Sequence, residues 1–169
     1  MNNIEKEISG LKSSLLKMFL LVEAQWEKGA NAIINYDQDI AEEISSSENR
    51  INAQELKIDN DCENIIALHA PVAVDLRFIL STFKINHALE HIADIAESIA
   101  MYVADQDIPY DSEIVKETCL TEMLDIFNSM MDNVIEAFEN EDPKIARKVF
   151  KKDKLINKNQ FRSTQNYYL

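Results

Sequence analysis

The sequence predicts an all-α protein, an up-down helical bundle with one complete three-helix unit followed by an incomplete second unit. Three observations lead to this prediction. The 169 residues include only two Gly and three Pro, which leaves little material for turns. Apolar residues recur along most of the chain at the spacings of helices that pack side by side. A weak internal repeat relates the first part of the chain to the last.

The first two helices are predicted from their apolar seams. In the first helix, which is expected to end near Asn35, the seam alternates spacings of four and three: Ile4, Ile8, Leu11, Leu15, Met18 and Val22. A new helix is then capped within residues 37–39, because Asp side chains favour helix starts. Its seam repeats every seven residues, at Ile44, Ile51, Ile58 and Ile65, and predicts a second helix over 38–68.

A third helix is predicted over residues 71–104. Pro71 suits the first turn of a helix, where its missing N–H costs nothing. Its seam is expected at Ile85, Leu89, Ile92, Ala96, Ile99 and Val103. A wheel count places Asn86, Glu90, Asp94 and Glu97 opposite the isoleucines of this seam, so we expect an exposed acidic ridge there.

Two further helices are predicted after a linker over residues 105–112, which contains Pro109. The fourth helix is marked by Ile114, Met123, Ile126, Phe127, Met130, Val134 and Phe138. Asp142-Pro143 is expected to start the fifth. Beyond Asn157 the pattern decays, and we expect an irregular tail.

The internal repeat has an offset of 105 residues. Matching residues include Ile40 and Ile145, Ala41 and Ala146, Ile44 and Val149, Glu48 and Asp153, Ile51 and Ile156, and Asn52 and Asn157. The repeat predicts two units, 1–105 and 111–169, the second without a third helix. We expect its apolar stripe to be covered by the first unit or a second protomer, or else to mark the less stable part.

Charge and the N-terminal sequence restrict the function classes. The net charge of −13 argues against nucleic acid as a partner, because phosphate contacts need clustered Lys and Arg. The first residues resemble no signal peptide, and no apolar stretch approaches the roughly 20 residues of a membrane span. A cytoplasmic protein is expected, with Cys62 and Cys119 as packing residues on helices.

Two predicted helices carry ridges of oxygen donors. On the third helix, Glu90 and Asp94 are one turn apart. On the second, the ridge comprises Glu48, Asn52, Glu55 and Asp59. Carboxylates of this kind can bind hard cations or iron, although acidic stripes are more often solvated faces.

Other site chemistries find less support. His87 and His91 are one turn apart, a spacing usable by zinc, but they are interleaved with Glu and Asp and form no complete ligand set. The sequence offers no Gly-rich phosphate loop and no nucleophile elbow. A Glu-x-x-His motif of di-iron bundles is missing from the predicted seams. No catalytic residues are therefore assigned.

Three segments resemble the PhoU family of phosphate-transport regulators. Residues 69–80 read HAPVAVDLRFIL and residues 89–100 read LEHIADIAESIA, similar to the family's P-x-A-x-D-L-R and L-E-R-I-G-D-x-A-x-x-I-A. Residues 48–59 read ENRINAQELKID, like the family's acid-x-x-V-N-x-x-E-x-x-I-D. The departures are His91 for Arg and Ala93 for Gly. Asn52 in place of Asp removes one charge.

The resemblance implies a regulator without catalytic activity. It implies negative regulation of phosphate uptake and phosphate-starvation signalling, through contact with the transporter's ATPase subunit and a sensor histidine kinase at the membrane. It also implies homodimers and a surface-bound metal (Fe, Mn, Mg, Ni or Zn) on paired motifs, here Glu48 and Asn52 facing Glu90 and Asp94. About twenty residues on either side of a turn at Ala70 bring these pairs level.

Two alternatives stay open. One is a PhoU-like accessory protein of another ion or phosphate carrier, because the bundle motif does not name its partner. The other is a metal-storage or redox bundle, which predicts a buried metal site rather than an exposed ridge.

Overall fold

Six α-helices make up the part of the chain that the computed structural model describes, residues 3–109 and 112–167, and no strand occurs within these ranges. In order, they are α1 (Asn3–Asn35), α2 (Ile40–His69), α3 (Ala73–Ala104), α4 (Ser112–Glu117), α5 (Leu120–Glu139) and α6 (Pro143–Tyr167). The all-α prediction is confirmed. Of the predicted linker, residues 110 and 111 lie outside the described residues.

The first three helices form an antiparallel bundle around the predicted seams. The four isoleucines of the α2 seam are all buried, as are Leu11, Leu15, Met18 and Val22 of α1. Contacts of Lys28 with Glu43 and of Ser14 with Gln54 show that α1 and α2 run in opposite directions. Seven-residue spacing therefore identified the true core face of α2.

The buried face of α3 matches the predicted seam at Leu89, Ala96 and Val103 but not at its isoleucines. Its buried residues are Ile79, Thr82, Asn86, Leu89, Ala93, Ala96, Ala100 and Val103, whereas Ile85, Ile92 and Ile99 are half-buried. Small residues let α3 approach α1 closely: a Cβ on Gly29 would lie 2.9 Å from the Ala96 carbonyl oxygen. The isoleucines pack instead against buried clusters that also include Leu124, Met131 and Ile135 of α5. The prediction took large isoleucine side chains as the sign of the most buried face of α3. That face instead includes the small residues Ala93, Ala96 and Ala100.

The connection between α2 and α3 corrects the predicted start of the third helix. Ala70 ends α2 in the left-handed region (φ 45°), donating its N–H to the Ile66 carbonyl. Pro71 is buried but lies before the helix, and Val72 is extended. Since proline disfavours helical backbone in the residue before it, the chain leaves α2 at Ala70 and re-enters a helix at Ala73.

The predicted fourth helix is broken into α4 and α5. Cys119 adopts a left-handed conformation (φ 53°) between them and is therefore not a helical residue. The Thr118 hydroxyl donates to the Ile114 carbonyl over 2.8 Å. A threonine hydroxyl can compete in this way with the helical backbone. Cys62, by contrast, is a buried packing residue as expected, and burial raises the pKa of its thiol to about 12.

Helix α6 begins where predicted and continues further than predicted. The Asp142 carboxylate accepts the Lys144 backbone N–H over 2.7 Å, as an N-cap does. The helix continues to Tyr167, so the expected irregular tail after Asn157 is wrong over this range. It packs mainly against α5, where Lys152 donates to the carbonyl of Ser129 over 2.7 Å.

The two parts of the chain share one hydrophobic core. Met131 and Ile135 of α5 belong to the same buried cluster as α1–α3, with Phe127, Val134 and Phe138 packed against it. Trp26 stacks on Phe127 with ring centroids 4.0 Å apart. The apolar stripe of α5 is therefore covered by the first unit, one of the outcomes expected. The division into 1–105 and 111–169 stays a prediction.

Candidate metal site between α2 and α3

The antiparallel packing of α2 and α3 brings their two oxygen-rich ridges together. At one end, Ser45 donates to the Glu97 carboxylate over 3.1 Å. At the other, the Asn86 side-chain N–H₂ donates to the Asp59 carboxylate over 2.9 Å. Glu48 lies between these ends on α2, within electrostatic range of Glu90 and Asp94. The predicted alignment of residues 48–52 with 90–94 agrees with this register.

Glu48 is buried rather than exposed, which corrects the expectation of a solvated ridge. Only 6% of it is accessible. One of its carboxylate oxygens accepts a hydrogen bond from Gln25 of α1, whose side-chain N–H₂ also donates to the Ala93 carbonyl over 3.2 Å. The other oxygen, Oε1, has no hydrogen-bond partner among the described residues.

The charge around Glu48 is unbalanced. Burial, above all, raises the pKa of Glu48; the Gln25 hydrogen bond opposes this, and repulsion from Glu97, Asp94 and Glu90 adds to it. The pKa of Glu90 is raised as well, first by burial and then by Asp94 and Glu55. A bound cation would relieve both effects, because it would stabilise the ionised carboxylates.

Asn86 also differs from its predicted position. It is fully buried, although the wheel count placed it on the exposed ridge. Its N–H₂ group donates to the Glu55 carbonyl over 3.0 Å and to Asp59, but its oxygen, Oδ1, has no partner in the described part of the chain. Glu48 Oε1 and Asn86 Oδ1 are thus buried oxygens at the interface between α2 and α3 for which the described residues supply no donor.

The remaining predicted ligands lie on the rim. Asp94 and Asn52 are exposed, and Glu90 is half-buried. Of the four predicted ligand residues, Glu48, Glu90 and Asp94 are close enough to interact electrostatically, and the uncharged Asn52 is exposed one turn after Glu48.

A second group lies one step along the same interface. His87 Nδ1 is 3.1 Å from Glu55 Oε1, and one ligand atom from each of Glu55, His87 and Glu90 lies within 4.8 Å of the others. His91 is not in this group. The pairing of His87 with His91 that their one-turn spacing suggested is therefore not part of it. The antiparallel alignment of α2 with α3 about Ala70 would have predicted the contact between Glu55 and His87, since these two residues are nearly equidistant from that turn.

Comparison with known proteins identifies the family. The model of the PhoU domain matches residues 15–103 and 120–167. The chain belongs to the PhoU family. The PhoU resemblance drawn from residues 48–59, 69–80 and 89–100 is confirmed, and the two ranges that the family model matches correspond to α1–α3 and α5–α6.

Individual relatives agree with this assignment. A phosphate-specific transport system accessory protein PhoU homolog of Aquifex aeolicus is 31% identical over 161 residues, covering 89% of this chain and 67% of that protein. The Escherichia coli accessory protein PhoU is 26% identical over 162 residues, covering 91% and 66%. The chain thus spans about two thirds of the length of these relatives.

Solved PhoU structures have the same fold. The crystal structure of PhoU from Pseudomonas aeruginosa superposes with a TM-score of 0.85 at 26% identity, over 96% of this chain and 78% of that one. The phosphate transport system regulatory protein PhoU from Streptococcus pneumoniae gives 0.81 at 25% identity, over 93% and 73%. The predicted PhoU-like bundle is confirmed. No helix in the described ranges is long and apolar enough to cross a membrane.

Proposed function

We propose that this protein is an accessory protein of a phosphate transport system and a negative regulator of phosphate uptake and phosphate-starvation signalling. The observation that carries the proposal is the match of 96% of the chain to a PhoU structure, together with relatives named as phosphate-specific transport accessory proteins. We propose that it acts in the cytoplasm by binding, without turnover, on the transporter's ATPase subunit and a sensor histidine kinase.

The outer face of α6 is the contact surface we favour for the ATPase subunit. Residues 143–167 contain eight basic residues and one acidic residue, whereas residues 1–142 contain nine basic and 29 acidic residues. Phe150 and Phe161, three helical turns apart on one face, are 70% and 64% exposed. A face that combines aromatic and cationic side chains on a strongly acidic protein suits a partner with an acidic, partly apolar surface.

A genetic experiment tests the regulatory role. In cells that lack the gene, a phosphate-starvation reporter should be active in high phosphate, and the wild-type chain should silence it. A reporter that stays silent in the deletion strain would contradict the proposal.

A pull-down with the purified ATPase subunit tests the contact surface. The Phe150→Ser/Phe161→Ser double variant should lose binding, whereas the matched variant Leu56→Ser, which changes an exposed apolar residue of α2, should retain it. Equal binding by both variants would place the contact elsewhere. Size-exclusion chromatography with light scattering of the same samples tests the homodimer that we also propose.

Metal binding by Glu48, Asn52, Glu90 and Asp94 is the second part of the proposal. The donor set fits a cation, because Glu48 has a buried oxygen without a donor and three carboxylates repel it. Fe, Mn, Mg, Ni or Zn would supply the positive charge that this interface lacks, and the residues would hold the ion between α2 and α3. Elemental analysis and metal-dependent thermal shifts test it. A shift that survives Glu90→Ala with Asp94→Ala would contradict it.

An accessory role at a different ion or phosphate carrier is the alternative within the same fold. The burial of Glu48 is the one observation that favours the second alternative, a metal-binding bundle. Stoichiometric iron that stays bound without any effect on the reporter would support that function instead.

A further inference from the structure

We propose that a groove between the N-terminal parts of α1 and α3 binds a short helix of a partner protein, with an apolar face flanked by lysine or arginine. The lining of the groove includes neither Phe150 nor Phe161 of α6. The inference therefore depends neither on the contact proposed for the ATPase subunit nor on the role in phosphate transport. It rests on the place where α5 ends, on the lining and charge of the groove, and on a buried hydroxyl without a partner.

The end of α5 leaves one face of α1 uncovered. Phe138, in the last turn of α5, packs against Phe19 with ring centroids 5.4 Å apart, and Glu141 just beyond α5 pairs with Lys12. α5 thus runs antiparallel to α1 and stops about level with Lys12. α1 continues past this level to Asn3, a further two and a half turns or about 13 Å.

A cavity of about 620 Å³ occupies this uncovered region. α1 lines it within residues 5–12 and α3 within residues 74–85, while α5 borders it with its last turn. No other described helix contributes to the lining. The volume falls within the range of about 300–1,000 Å³ that is typical of specific binding sites.

The lining is mainly apolar and open to solvent. Its apolar residues are Ile8, Val74, Phe78, Ile85, Ala137 and Phe138. Val74 is 68% exposed, and Ile8 and Phe78 are half-buried. The cavity is therefore a groove rather than a closed chamber. Because it continues the line along which α5 packs on α1, an amphipathic helix of two to three turns is the occupant that fits it.

A buried hydroxyl in the groove gives an independent sign of a missing partner. Thr82 is fully buried and lines the groove, and its Oγ1 has no hydrogen-bond partner among the described residues. A helical threonine can donate to the carbonyl one turn earlier, as Thr118 does to Ile114, but Thr82 makes no such bond. Since a buried polar group without a partner is costly, a polar group on the bound helix would be stabilising here.

The rim of the groove determines the charge of the partner. Three carboxylates, those of Glu5, Asp75 and Glu141, surround it together with one ammonium group, that of Lys12. The rim is therefore net negative, and Lys12 is already paired with Glu141. Lysine or arginine beside the apolar face of the partner helix would complement this rim, whereas acidic residues would be repelled.

Fluorescence anisotropy of a labelled synthetic peptide, titrated with the full chain, tests the groove. The peptide is a helix of about twelve residues, with leucine at every third or fourth position and lysine at the others. Two control peptides have the same number of leucines. One has glutamate in place of lysine, and the other has the original residues in an order without helical periodicity. Salt at about 0.15 M screens general attraction to the acidic protein.

Two matched pairs of variants locate the binding. Ser81→Trp fills the groove, whereas Ser13→Trp adds the same side chain at an exposed serine of α1 outside it. Glu141→Gln and Glu43→Gln each remove one exposed carboxylate that pairs with a lysine of α1, and only the first lies at the groove. Because Glu141 is exposed, the second pair remains informative if Ser81→Trp fails to fold.

The lysine peptide should bind the wild-type chain at least tenfold more tightly than either control peptide. Ser81→Trp should lose tenfold or more of this affinity and Glu141→Gln two- to threefold, while Ser13→Trp and Glu43→Gln should match wild type. Absence of binding, equal binding of all three peptides, or equal losses within either pair of variants would overturn the proposal. A dimer in light scattering that Ser81→Trp abolishes would also overturn it, because a second copy of the chain would then occupy the groove.

Discussion

The helices α1–α3 and the helices α4–α6 achieve stability in different ways. Each of the first three helices contacts both of the others, and each has buried residues along most of its length. In the second part, α5 packs against α6 and, less extensively, against α1, while α6 packs mainly on α5 and exposes Phe150, Leu155 and Phe161. The same repeated pattern thus yields a complete core in one part and a half-covered layer in the other. A sequence repeat specifies which face is apolar, but the number of neighbouring helices decides how much of that face is buried.

The largest consequence concerns local opening. Amides of α2 and α3 should exchange only through global unfolding, whereas those of α6 should exchange through a partial opening that costs several kcal/mol less. Hydrogen exchange by mass spectrometry measures this as high protection over residues 40–104 and lower protection over 113–157. Uniform protection of a monomer would show that the second part has a complete core of its own.

Equivalent isoleucines of the repeat should differ in their contribution to stability. Ile51 is fully buried, whereas Ile156, at the matching position of α6, is half-buried. Ile51→Ala should lower the free energy of unfolding by about 2–5 kcal/mol, and Ile156→Ala by about half as much, because less transfer energy and a smaller cavity are involved. Urea denaturation of both variants measures the difference. Equal losses would indicate that α6 is as well covered as α2.

The two glycines of α1 should respond in opposite directions to alanine. Gly29→Ala places a Cβ against the Ala96 backbone and should destabilise the protein by about 1–3 kcal/mol. Gly10→Ala meets no atom within 4 Å and should stabilise it by about 0.5–1 kcal/mol, since alanine favours the helix. Thermal unfolding followed by circular dichroism measures both. A neutral Gly29→Ala would mean that α1 and α3 can separate at little cost.

The polar contact between the two parts should contribute less. Trp26 Nε1 donates to Asn128 Oδ1 over 2.9 Å, a half-buried link between α1 and α5. Trp26→Phe should cost about 1–2 kcal/mol, from the lost hydrogen bond and the smaller ring. A double-mutant cycle with Asn128→Ala isolates the hydrogen bond. A coupling energy near zero would show that this hydrogen bond contributes little and that apolar packing joins the two parts.

The smallest effect is electrostatic and depends on pH. Burial raises the pKa of Glu23, and the charges of Asp132 on α5 and Glu27 add to this. Because the folded state holds the proton more tightly, ionisation of Glu23 destabilises the protein as the pH rises through this pKa. Glu23→Gln should therefore raise the melting temperature slightly at pH 7. The gain should disappear below the unfolded pKa of glutamate, about 4.3, and a gain that persists at pH 3 would contradict this cause.

Much of the fold follows from local patterns in the sequence. The seven-residue spacing of isoleucine predicted the core face of α2, and Asp142-Pro143 predicted the start of α6, because apolar periodicity and helix caps act within a few residues. The combined motifs of residues 48–59, 69–80 and 89–100 predicted the family. The alignment of α2 with α3 followed from their equal distances to the turn at Ala70.

What the tertiary structure decided concerns burial and partners across helices. The sequence placed Glu48 and Asn86 on solvated ridges, but packing against α1 and α2 buries them, because Gly29 and the alanines of α3 let the helices approach closely. The break at Cys119 was hidden by a continuous apolar stripe. His87 contacts Glu55 of α2 rather than its neighbour His91, since spacing along α3 cannot specify which side chain of α2 faces a residue of α3. Periodicity determines a helix and its apolar face, whereas burial and ligand geometry arise only when three helices meet.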